Sequence, residues 1–78
     1  MRNIGKKIER KLKSIGISSA EELKRTGSKE AFSLLKARYP NACLVFLYAL
    51  QGAIDDVEYN RLPMEIKQEL KDFYNELR

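Results

Sequence analysis

Ala42-Cys43-Leu44-Val45-Phe46-Leu47-Tyr48-Ala49-Leu50 is an unbroken apolar run just past the middle of the chain. It is far shorter than the roughly 20 apolar residues that span a bilayer, so it reads as protein interior. No proline interrupts Gln51-Gly52-Ala53-Ile54-Asp55 beyond it, and one helix is expected from just after Asn41 to about Asp55. A helix that is apolar all round is covered on most sides. This segment is therefore expected to be the central helix, with Cys43 a buried core thiol and Gly52 letting a neighbouring helix approach closely.

The flanking sequence supplies the helices that cover it. Upstream, a helix is expected to start after Ser28 as N-cap. It ends near Tyr39, because Pro40 disfavours helical geometry in the residue before it. Ala31, Phe32, Leu34, Leu35 and Tyr39 form its inner face, with Lys29, Lys36 and Arg38 in solvent. Downstream, Pro63 has the fixed φ that suits a first helical position. Ile66, Leu70, Phe73, Tyr74 and Leu77 follow at amphipathic spacing. A short helix over residues 19–26 is expected behind Ser18 as N-cap, with Glu21 completing a capping box and Gly27 closing it. The first helix, over residues 5–14, carries Ile4, Ile8, Leu12 and Ile15 as one stripe, and Gly16 ends it in the left-handed conformation.

No strand pattern, repeat, linker or low-complexity segment breaks this series. The expected fold is all-α, a compact orthogonal array of about five short helices in a single domain over residues 1–78. Its core is expected to hold Ile8, Leu12, Ile17, Leu23, Phe32, Leu35, Leu44, Leu47, Tyr48, Leu50, Ile54, Ile66, Leu70 and Phe73. At 78 residues, 44% apolar and 33% charged, the chain is long enough for one modest core and too apolar for disorder.

Composition excludes several chemistries. There is no histidine and only one cysteine. Histidine-based triads and acid–base relays are therefore absent, a zinc site within one chain is not supported, and no intramolecular disulfide can form. The N-terminus lacks the apolar stretch of a secretory signal, and a lone thiol suits a reducing cytoplasm. Asp55, Asp56 and Glu58 form an acidic cluster without metal-loop spacing, expected to be a solvated loop. No enzyme activity, cofactor, membrane contact or small-molecule substrate is expected.

Charge is divided unevenly. Residues 1–39 hold eleven Lys/Arg against four Asp/Glu, a net of +7, whereas residues 40–78 hold four against seven, a net of −3. At 100° per residue, Lys6, Lys7, Arg10, Lys11 and Lys13 fill one arc of the first helix, opposite its apolar stripe, and only Glu9 interrupts them. The turn Asn3-Ile4-Gly5 opens that helix, where free backbone N–H groups and positive charge coincide, a combination suited to phosphate. Asn3, Gly5, Lys6, Lys7, Arg10, Lys11 and Lys13 are the candidate nucleic-acid contacts. No aromatic residue is interleaved with them, so base stacking on a single strand is not expected. The aromatic residues Phe32, Phe46, Tyr48, Phe73 and Tyr74 are expected in the core.

The run Asn3-Ile4-Gly5-Lys6-Lys7, Leu12, Ile15-Gly16-Ile17 and Glu22-Leu23 resembles the second half of a helix-hairpin-helix unit. It departs from that pattern in having Asn3 for the first glycine and Glu9 where a small packing residue is usual. The chain begins at Met1, and the first helix of the hairpin is expected to be absent. With Leu35-Lys36-Ala37-Arg38-Tyr39-Pro40, the run Leu47-Tyr48-Ala49-Leu50-Gln51-Gly52-Ala53-Ile54, then Leu62-Pro63 and Leu70, nearly the whole chain resembles the C-terminal domain of TfoX (Sxy), a bacterial competence regulator.

That resemblance implies a non-enzymatic role in DNA transformation through transcriptional control of competence genes. It transfers no base-contacting residues. The expected partner is the backbone of duplex DNA, contacted without sequence preference. The alternative is an adaptor that binds a transcription factor or an RNA polymerase subunit without touching DNA.

Overall fold

The computed structural model describes residues 4–77. Five α-helices follow in order: α1 (Lys6–Ser14), α2 (Ala20–Thr26), α3 (Ser28–Arg38), α4 (Leu44–Asp55) and α5 (Met64–Glu76). A 3₁₀ turn at Tyr59–Arg61 precedes α5. No strand occurs among the described residues, and the domain measures 29 × 27 × 20 Å.

α4 is the central element, packed against α2, α3, α5 and the 3₁₀ turn. Leu47 and Leu50, one turn apart, are fully buried, and Ala49, Gly52 and Ala53 are buried beside them. The helix is not covered all round, however. Val45 is 51% exposed; two residues before Leu47, it lies about 200° away around the helix. The expectation that Cys43 is a buried thiol is also wrong. It is exposed, because it is the N-cap of α4 in an extended conformation. The apolar run begins in the surface turn that leads into the helix, before the covering helices reach it.

The other helices follow their apolar stripes. Leu12, Ile17, Leu23, Phe32, Leu35 and Leu70 are buried around α4, joined by Ile4, Ala31, Ala42 and Leu62. Ile8, Leu44, Tyr48, Ile54, Ile66 and Phe73, expected in the core, are only partly buried at its margin. Leu34, expected on the inner face of α3, is 44% exposed. It falls off the line of Ser28, Ala31, Phe32 and Leu35, which face inward.

Four helix starts shift by one residue, α1 beginning at Lys6 with Gly5 as its N-cap, and α4 begins at Leu44, two residues later than expected. The hydroxyl of Ser19, not Ser18, caps α2, accepting the Glu22 amide at 3.1 Å. Ser18 instead donates to the Glu22 carboxylate at 2.6 Å. Ser18-Ser19-Ala20-Glu21-Glu22 offers the same capping box in two registers, and the one adopted buries Leu23. Ser28 is the first residue of α3 rather than its cap, and Gly27, at φ +88°, ends α2 and opens α3 at once. The buried Ser28 hydroxyl donates to the Gln51 side chain of α4 at 2.5 Å. Pro63, expected as the first helical residue, is the N-cap: its φ of −55° fits a helix but its ψ of 147° does not.

Gly16, at φ +90°, turns the chain between α1 and α2. Its amide and that of Ile17 satisfy carbonyls of the last turn of α1, with Ile17 N–H to Leu12 O at 2.9 Å, a helix end that glycine favours.

The Ser18 hydroxyl, the chief cause, holds the Glu22 carboxyl below its ordinary value. A depressed carboxyl pKa stabilises the fold above the ordinary carboxylate range, and that contribution is lost as pH falls through the folded value. In melts from neutral pH to pH 3, the gap in Tm between the parent and Glu22→Gln is expected to close with acidification. Leu47→Ala is expected to cost about 2–5 kcal/mol in denaturant unfolding, much of the total stability of a domain this small. Val45→Ala is expected to stay within about 0.5 kcal/mol.

Candidate nucleic-acid interface

α1 presents its apolar stripe inward, with Ile4 and Leu12 buried and Ile8 and Ile15 packed at the edge of the core. It packs on α3, and that contact fixes which face meets solvent. Lys6, Lys7, Arg10 and Lys13 are exposed on the outer side, as their spacing predicts. The structure therefore brings four of the five expected cations onto one open face.

At the N-terminal end of that face, Gly5 is the N-cap, extended at φ −81° and ψ 177°, with no side-chain cap. Its carbonyl accepts the Glu9 amide at 2.9 Å. A Cβ at this position would meet nothing within 4 Å, so the backbone here is open to an approaching group. Asn3 lies outside the described residues.

The cations differ in how far they are engaged. Lys13 pairs with Glu9 at 3.4 Å, both side chains about half exposed at 55% and 42%. Exposed pairs of this kind contribute little. Glu9 thus offsets one charge of the arc. Lys6, Lys7 and Arg10 form no ion pair with any described carboxylate.

Lys11 departs from the expected arc. It is half-buried, and its ammonium stands 5.0 Å from the centre of the Tyr39 ring and 5.6 Å from that of Phe46. Contacts of this kind attract a cation to the ring face. The Tyr39 hydroxyl lies 3.2 Å from the Ser14 hydroxyl, which itself donates to the Lys11 carbonyl at 2.6 Å. The bond to Ser14, with Arg38 and Lys11 nearby, lowers the Tyr39 pKa below that of a free phenol. The C-terminal half of α1 is thereby tied to the end of α3.

Folding thus sets two aromatic rings against the basic helix, although none neighbours it in sequence. Tyr39 and Phe46 come from the α3–α4 corner. Lys36, expected to be solvated, holds that corner in shape by donating to the Pro40 and Ala42 carbonyls at 2.8 and 3.0 Å. The only signal for this corner in the sequence was Pro40 itself, which marks a bend but not what lies beside it.

The acidic cluster acts locally. Asp55 accepts from Gln51 at 2.9 Å, and Glu58 lies 3.6 Å from Arg61. Among the described residues no group of three or more Asp, Glu or Cys is placed to hold a metal ion. Nor is any described helix long and apolar enough to cross a membrane.

The chain belongs to the TfoX C-terminal domain family, whose model matches residues 1–74. Two crystal structures from Listeria monocytogenes share the fold closely. One, an uncharacterized protein in a triclinic form, is 40% identical with a TM-score of 0.97, and the match covers 99% of this chain and 88% of that one. The other, a protein of unknown function in a tetragonal form, is 40% identical with a TM-score of 0.96, and the match covers 100% of this chain and 96% of that one. No curated protein matches the chain.

The exposure of Cys43 has a direct chemical consequence. In native buffer the thiol is expected to react to completion with a chromogenic disulfide reagent, with no further thiol released on unfolding. Cys43→Ser, which puts a capping hydroxyl at the N-cap of α4, is expected to raise stability by about 0.5–1 kcal/mol in denaturant unfolding.

Proposed function

We propose that this domain is a non-enzymatic regulator in bacterial natural competence, working in the cytoplasm and contacting the DNA backbone through the outer face of α1. Membership of the TfoX C-terminal domain family supports the competence role. The observation that carries the DNA contact is the set of exposed cations Lys6, Lys7 and Arg10, in no ion pair among the described residues, beside the open backbone at Gly5. Phosphate contacts from such residues hold a protein on DNA without reading sequence.

A second reading is supported by a different observation. The cleft beside Lys11 has an apolar floor, which suits a protein partner better than a phosphate chain. On that reading the domain is an adaptor to the transcription machinery.

The salt dependence of binding separates the two. Three neutralised phosphates correspond to a log–log slope of about −2.7 on duplex DNA. Anisotropy of a labelled duplex between about 50 and 200 mM salt is expected to show that slope. It should flatten in Lys6→Gln/Lys7→Gln/Arg10→Gln with helical content unchanged. A parent slope near zero overturns the DNA contact.

A further inference from the structure

Beside the basic face of α1 lies a cleft that backbone contact with DNA does not use. Tyr39, Pro40, Ala42 and Phe46 line it, with Lys11 and Arg38 among its walls. Its volume is about 290 Å³, just under the roughly 300–1,000 Å³ typical of small-molecule sites. It suits one large side chain better than a ligand of several rings. Among the described residues no carboxylate lines it. Among the described residues neither Lys11 nor Arg38 is in an ion pair, whereas Lys13, Lys29 and Arg61 all are.

We infer that this cleft is a docking socket for an acidic peptide segment carrying one large apolar side chain. The apolar side chain rests on Tyr39, Pro40 and Phe46, and the flanking carboxylates meet Lys11 and Arg38. Charge complementarity selects this occupant. The socket holds two positive charges and no negative one, and Lys6, Lys7 and Arg10 extend the positive field along α1. A polyacidic segment is drawn toward such a surface before it docks. The Lys11 ammonium is already held over two rings, so a carboxylate reaches it at a reduced cost in side-chain ordering. The socket stands whether or not α1 contacts duplex DNA, because its apolar floor is not a phosphate contact.

The test is an amide chemical-shift titration of the full chain with two ten-residue peptides. Both are rich in aspartate and glutamate; one has a central phenylalanine and the other a central serine. Shifts are expected at Lys11 and over residues 41–46, with the phenylalanine peptide about tenfold tighter, the size of a modest hot spot. Lys11→Gln and Arg38→Gln are each expected to weaken it about three- to tenfold, while Lys71→Gln on the exposed side of α5 leaves it unchanged.

Replacing Tyr39 or Phe46 would disturb packing, so the floor is tested another way. Alkylating the exposed Cys43, which also lines the cleft, with N-ethylmaleimide is expected to block the phenylalanine peptide while leaving the helical spectrum intact. Equal affinity for the two peptides, indifference to alkylation, or the same shifts produced by a single-stranded oligonucleotide but not by the peptide would each overturn the proposal. A failed salt slope on duplex DNA leaves it standing.

Discussion

Leu47 and Leu50 sit one turn apart on α4, fully buried, and the other elements are arranged by what covers them. α2, α3, α5 and the 3₁₀ turn all pack on α4, and α3 and α5 meet through Phe32 and Tyr74. A chain this short buries a smaller share of its surface than a large domain does, so it has little apolar area to spare. Small residues make the close packing possible: Ala49, Gly52 and Ala53 of α4 and Ala31 of α3 are all buried. Ser28 and Gln51 add the polar link between α3 and α4. α1, which carries the charge, packs mainly on α3 and reaches α4 through Lys11 over Phe46. Its outer face is thus left for another purpose, and it is held firmly enough to keep its cations in one array.

The charged side chains near α3 and α4 show how the same residue type does different work by position. Lys36 serves the fold, closing the α3–α4 corner through two backbone carbonyls and lying over Tyr74 at 5.5 Å. Lys29 reaches Glu69 at 2.7 Å and ties α3 to α5. Lys11 is held over rings instead of a carboxylate, which keeps its charge available while fixing its place. Among the described residues Lys6, Lys7 and Arg10 have no such anchor. A gradient therefore runs across the domain from structural lysines on α3 to unengaged ones at the start of α1.

Periodicity made all five helices and the central place of α4 legible, because stripes at three and four residues survive folding. It also showed the basic face of α1, since opposite faces of one helix follow from spacing alone. What it did not show depends on neighbours distant in the chain. The exposure of Cys43 and Val45 reflects where the covering helices stop, which no local pattern records. The one-residue shift at Ser18 and Ser19 arises because two serines precede two glutamates, leaving the capping register open. The cleft was invisible for the same reason. Lys11 and Phe46 are far apart in sequence, and only the packing of α1 on α3 brings them together.

Gly27 is the single residue between α2 and α3, closing one and opening the other. The joint therefore has no slack. An added residue would rotate everything on one side of it by about a quarter turn of helix and lift Leu23 or Phe32 from the interior. The α2–α3 elbow works as a fixed ruler that sets the relative phase of the two helices for the rest of the domain.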